Sequence, residues 1–193
     1  MTAEKSNGPV INIEALEPLF EPWEEPNRHR VRADKAGESA RTVKGRRPSP
    51  ITIVNNLRHD VRSWREDAYY AGVSDTSRQL MDYWFERPHR AHTASGVEYE
   101  FRYYFCQREA VETLIYLKEI RGIDCLSQLV ANFGGPEKEI AALGIKEDED
   151  AWSRYALKMA TGSGKTKVMS LAIVWSYFHA LRESDSDLPK HFV

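Results

Sequence analysis

The stretch Ala160-Thr161-Gly162-Ser163-Gly164-Lys165-Thr166 constrains this chain more than any other. Gly162 and Gly164 let the backbone turn and approach a ligand where a Cβ would clash. Before the stretch, residues 154–159 read as a short strand. After it, Lys165 to Arg182 reads as a helix that is apolar on most sides, through Val168, Met169, Leu171, Ile173, Val174, Trp175, Tyr177, Phe178 and Leu181. A helix apolar most of the way round is expected to be buried, between a sheet and another layer. Strand, glycine loop and buried helix, in that order, make an anion site. The loop's N–H groups and the positive end of the helix face the same point. At such a site Lys165 reaches the β- and γ-phosphates of a nucleotide, and the Thr166 hydroxyl ligates Mg²⁺. Thr161, Gly162, Ser163 and Gly164 supply the cradle, so the cofactors predicted are ATP and Mg²⁺. One position departs from the general pattern: Met159 stands where its first glycine would be.

The segment leading to the loop reads as mixed helix and strand. Ile51 to Val54 is β-branched and reads as a strand. Leu57 to Tyr70 reads as a helix with Val61, Trp64 and Ala68 on one face. Ser74-Asp75-Thr76 reads as a second helix start, with Leu80, Met81, Trp84 and Phe85 as its apolar face and Pro88 beyond its end. From Val97 to Phe105 the alternation of Val97, Tyr99, Phe101, Tyr103 and Phe105 against polar neighbours predicts a half-buried strand. Gln107 to Arg121 predicts a helix with Ala110, Val111, Leu114 and Leu117 inward, ended by Gly122. Residues 123–150 read as an insertion. It holds a short helix over 124–133, a second starting at Pro136, and an acidic loop over 147–150.

Residues 1–50 hold six prolines, and these block long helices, so the segment reads as an extended arm with one strand near Arg28–Arg32. Net charge over the 193 residues is −2, which gives no global argument for a nucleic-acid or membrane partner. The distribution is uneven. Residues 11–27 carry five glutamates and no basic residue, whereas residues 28–65 carry eleven Lys/Arg against Asp34, Glu38 and Asp60. That asymmetry fits either an arm facing nucleic acid or a solvated segment folded against the rest of the protein. Cys106 and Cys125 lack metal-ligand spacing, and the scattered histidines form no ligand set. No apolar run is long enough for a membrane span. A reducing, cytoplasmic setting with no membrane partner is the default reading.

The residues support a resemblance. Met159 to Thr166 resembles motif I of superfamily 2 helicases and translocases, a family that commonly replaces the first glycine. Phe105-Cys106-Gln107-Arg108-Glu109-Ala110 resembles the glutamine motif upstream of it. An amide can donate and accept at once, as reading an adenine edge requires, so the resemblance makes Gln107 the adenine reader. With the Pro/Trp/Glu run at 21–26 and the Arg-rich segment after it, the chain is similar to the start of a DEAD/DEAH-type protein, the Res subunit of type III restriction enzymes. The resemblance implies an ATP-driven motor on duplex DNA, built from RecA-like domains and working beside a modification methyltransferase subunit.

The expected fold is therefore α/β. An irregular Pro/Arg-rich arm (1–50) and a mixed helical segment (51–96) precede the first part of a RecA-like P-loop domain (97–193), whose sheet is incomplete. Lys165 is 28 residues from position 193, so the motor's second carboxylate motif and its arginine fingers are expected to lie outside this sequence. Asp148-Glu149-Asp150-Ala151 mimics the letters of that motif but precedes the loop, and it reads as a solvated turn. The expectation is ATP binding with negligible turnover by this chain alone, and no residue here is assigned a catalytic role. Nor does any lysine have an acid two residues before it, so nuclease chemistry is not assigned. Two alternatives stay open. One is a DNA-binding module gripping through residues 28–65 with a vestigial loop. The other is a small P-loop kinase or transferase, which needs an acceptor site beyond the loop helix.

Overall fold

The structure, a computed structural model, describes residues 21–31, 41–135, 144 and 155–192. The chain is mixed α/β, with five helices and two small antiparallel sheets among the described residues. It divides into two compact units, Met1–Arg47 and Pro48–Val193.

In the first unit, β1 (Arg28–Val31) pairs antiparallel with β2 (Arg41–Lys44), Arg28 opposite Lys44 and Arg30 opposite Thr42. Side chains alternate faces along a strand, so Arg28, Arg30, Thr42 and Lys44 share one face. The strand expected near Arg28–Arg32 is thus present. Its open end is closed by Gly45 N–H donating to Asn27 O at 2.6 Å, and by the His29 ring paired with Gly45 O at 2.7 Å.

The second unit opens with α1 (Thr52–Glu66). The β-branched run at 51–54 is not a strand, because Ile53, Leu57, Val61 and Trp64 recur at helical spacing and form one stripe against the core. Burial of that stripe outweighs the β preference of Ile and Val. The Asn55 side chain fixes the entry by accepting from Ser49 N–H and donating to Ser49 O. The helix stops at Glu66 rather than Tyr70, and Ala68 is exposed. Tyr69 and Tyr70 take left-handed conformations (φ 48° and 57°), and Arg78 holds their carbonyls at 3.1 and 2.7 Å.

Next, α2 (Asp75–Met81) starts at Ser74, whose hydroxyl accepts from Ser77 N–H, and continues through a wider π-helical turn, Asp82–Glu86. As expected of this segment, Met81 and Trp84 are buried, with Leu80 and Phe85 packed beside them. The alternation at 97–105 yields only a short strand. β4 (Glu98–Phe101) pairs antiparallel with β3 (His89–His92), and Val97 and Tyr99 are exposed. Only Phe101, Tyr103 and Phe105 turn toward the protein.

At the centre lies α3 (Phe105–Ile115), extended by a π-helical turn, Tyr116–Ile120, before Gly122 at φ +57°. It packs against α1 and against α5 (Lys165–Arg182), while α4 (Leu126–Phe133) packs on α1. Val61, Trp64, Val111, Ile115, Leu117, Phe133, Leu171 and Trp175 join in one core. Glu112 is fully buried in it. Its carboxylate accepts from Arg65 at 2.6 Å, Arg108 at 2.7 Å and the Tyr70 hydroxyl at 2.6 Å. Burial, then the Glu112 charge, pushes the Tyr70 hydroxyl far above the usual tyrosine range.

Two expectations about the sheet are corrected. Residues 155–160 and 191–192 form no strand, and no parallel sheet occurs among the described residues. A strand exists only as part of a ladder, so an extended segment without a neighbour stays irregular. The loop helix matches its expected bounds but is not buried all round. Val168, Leu171, Trp175 and Ala180 face the core, whereas Met169, Ile173, Tyr177, Phe178 and Leu181 are exposed. The second helix and acidic loop expected within 136–150 lie outside the described residues.

Candidate functional site

The glycine loop forms a tight turn at the start of α5. Ser163 N–H and its hydroxyl both donate to Ala160 O, at 3.3 and 2.7 Å. Gly162 and Gly164 are left-handed, with φ +78° and +80°. An L-residue pays a steric penalty there, so glycine is required at both positions. Met159 packs partly against the core and anchors the loop's incoming end. The residue that departs from the general pattern therefore serves as a packing residue.

Gly164 is the N-cap of α5, and no side chain caps this end. The first turn contains no acid and begins Lys165-Thr166-Lys167. Lys167 and Val168 N–H both donate to Gly164 O. The N–H groups of Lys165 and Thr166 precede the first possible intrahelical acceptor and remain available to a ligand. An uncapped helix start with two lysines in its first turn favours an anion twice, through its donors and through its dipole.

Thr161, Gly162, Lys165 and Thr166 are exposed, and Ser163 and Gly164 are half-buried. The Lys165 ammonium lies back on the loop, donating to Ala160 O at 3.2 Å and Met159 O at 3.4 Å. These are long contacts to uncharged carbonyls, which a phosphate would outcompete. The Thr166 hydroxyl is a single oxygen at the mouth of the loop. Mg²⁺ takes one or two protein oxygens and completes its shell with phosphates and water, so this donor fits Mg²⁺ bound with a nucleotide. No group of three metal-ligating side chains occurs among the described residues.

Gln107 is brought to the loop by α3, but it does not face open space. It is 5% exposed. Its Nε2 donates to Ser163 O at 2.9 Å, and its Oε1 accepts from Tyr104 N–H at 3.0 Å, capping α3. A Cβ at Gly164 would overlap Gln107 Nε2. The amide therefore spends a donor and an acceptor inside the protein.

Two further basic side chains, one on α5 and one on α3, have partners within the protein. Lys167 Nζ lies 5.6 Å from the Phe101 ring centre, which ties the first turn of α5 to β4. Arg108, one residue after Gln107, bonds Glu112, Tyr70 and Glu86 and fixes the α3 register. The i,i+4 spacing of Arg108 and Glu112 was a readable signal for the first of these pairs.

The basic stretch at 28–65 is divided between the two units. Arg28, Arg30, Arg41 and Lys44 belong to the first unit, and Arg58, Arg62 and Arg65 to α1 of the second. Arg62 pairs with Glu66, and Arg65 is turned inward to Glu112. Among the described residues no helix is long and apolar enough to cross a membrane. No protein-family model matches the chain, and neither a curated protein nor a solved structure matches it.

Proposed function

We propose that the chain binds ATP with Mg²⁺ at Thr161–Thr166, as the phosphate-binding part of a RecA-like motor domain in a superfamily 2 DNA-dependent ATPase similar to the Res subunit of type III restriction enzymes. The observation that carries this reading is the local geometry. Two left-handed glycines deliver Lys165 to the first position of an uncapped helix with no acid in its first turn. That combination suits a polyphosphate, which the helix-start donors and the lysine would meet together. Titration of the full chain with Mg·ATP, beside Lys165→Ala, is the test. Lysine supplies the charge contact to the terminal phosphates, so the variant should bind at least tenfold more weakly, about 1.4 kcal/mol or more. Equal affinity in both sinks the site.

Duplex DNA is the partner this reading carries. The face of the β1–β2 sheet holding Arg28, Arg30 and Lys44 supports it, since phosphate contacts come from such basic rows. Replacing Arg30 and Lys44 with glutamine should flatten the salt dependence of DNA binding by about two charges. DNA binding with that dependence, but with no nucleotide binding, would favour a DNA-binding module carrying a vestigial loop.

A further inference from the structure

We propose that Gln107 is a positioning residue for the phosphate loop, setting affinity for the polyphosphate rather than reading the base. This rests on the reading of Thr161–Thr166 as a nucleotide site. The Ser163 carbonyl and the Gly164 N–H belong to one planar trans peptide and point in opposite directions. Gln107 Nε2 holds the Ser163 carbonyl at 2.9 Å. It thereby turns the Gly164 N–H to the opposite side of the loop, in sequence with the free Lys165 and Thr166 N–H groups of the helix start. One side-chain bond thus orients the first of three consecutive donors.

Gln107 can do this because it is itself fixed. Its Oε1 is held by Tyr104 N–H, and α3 is held by Arg65 of α1 on the buried Glu112 carboxylate and by Val111 and Ile115 in the core. The contact is close enough that Gly164 has no room for a side chain. An adenine reader needs a free amide edge, whereas this one is 5% exposed and bonded at both ends.

The test separates phosphate from base. The full chain, Gln107→Met and Gln107→Glu are titrated with Mg·ATP and with Mg·tripolyphosphate, which has no base. Methionine keeps the volume and loses both bonds. Glutamate keeps the acceptor for Tyr104 N–H and loses the donor to Ser163 O, so it remains informative should the methionine variant fail to fold. Gln107→Met should lose about fivefold in affinity, the worth of one hydrogen bond. Gln107→Glu should lose more, since it sets a carboxylate against the Ser163 carbonyl and beside the phosphates. Each loss is by the same factor for both ligands. A loss confined to ATP makes Gln107 a base reader and overturns the inference, as does no loss at all. Binding of ATP but not tripolyphosphate by the unaltered chain also overturns it. If the unaltered chain binds neither ligand, the nucleotide site itself is wrong and the inference falls with it.

Discussion

Gln107 and Ser163 lie 56 residues apart in sequence and are joined by a hydrogen bond of 2.9 Å from the amide to the loop carbonyl. That bond places the central helix directly against the glycine loop. Whatever changes the loop is therefore felt at α3, and the position next to Ser163 is the most sensitive place to look.

Gly164→Ala should be more damaging than an ordinary loop substitution. The new Cβ meets Gln107 Nε2, and φ +80° is strained for any L-residue. Alanine where φ is positive costs more than about 1 kcal/mol, and nucleotide affinity should fall with it. Thermal melting and titration with ATP measure the two effects. Adding Gln107→Ala removes the clash but not the backbone strain, so the double variant should recover part of the stability. No recovery would show that the strain alone sets the cost.

Glu112 is the second sensitive point. Its buried carboxylate is matched by Arg65, Arg108 and Tyr70. Glu112→Ala removes the buried carboxylate shared by Arg65, Arg108 and Tyr70 and leaves the two guanidinium groups their exposed partners, Glu66 and Glu86. The expected loss is about 3 kcal/mol in urea unfolding, because a hydrogen bond to a charged group contributes about 1.5–3 kcal/mol and part of the pairing survives. A loss below about 1 kcal/mol would mean that water reaches the site.

The Lys118 ammonium joins α3's extension to the segment after α5 through Asp187 at 2.7 Å, and it also bonds Asp124, just before α4, at 2.5 Å. Its hydrogen bond holds the Asp187 carboxyl below the ordinary value of 3.8. For Lys118, burial lowers the affinity for a proton, but the bonds to Asp124 and Asp187 outweigh it and raise the pKa above 10.5. A lowered acid stabilises the fold above its unfolded value and loses that contribution as pH falls. A raised base stabilises below its unfolded value and loses it as pH rises. Both contributions are therefore present at neutral pH. The stability difference between the chain and Lys118→Met should shrink as pH falls below 3.8, and again as it climbs past 10.5. Asp187 is largely exposed, so the effect is small. Urea midpoints across pH follow it, and a difference that does not change with pH would assign Lys118 a packing role only.

The outer face of α5 presents Met169, Ile173, Tyr177 and Leu181 at helical spacing, exposed by 63%, 42%, 43% and 58%. A continuous apolar stripe of this kind promotes association. Ile173→Lys with Leu181→Lys should reduce concentration-dependent light scattering while leaving the melting temperature within about 2 °C, since neither residue is in the core. Unchanged scattering would show that the stripe is too narrow to associate.

Much of the helical framework was legible from spacing alone. Lys165–Arg182 matches its expected bounds, and the helices around Met81, Val111 and Phe133 stand where their apolar periods put them. The strands were less legible. Residues 97–105 alternate well, yet only four of them pair, because a ladder needs a neighbour that the alternation does not specify. The run at 51–54 had strand chemistry but joined a helix, since its stripe completes only with Leu57, Val61 and Trp64 further on.

At the site, the residue order of 160–166 by itself determined a glycine turn with a lysine at the first position of a long helix. These are local consequences of backbone freedom and dipole geometry, and they need no distant partner. Tertiary structure alone decided where the Gln107 amide is bonded and which side of α5 is buried. Both depend on α3 and α5 lying against one another, with the amide consumed at their contact and the apolar helix covered on one side only. Sequence spacing records what a residue can offer. Whether the offer is met inside the protein or left to a ligand is settled only when the elements pack.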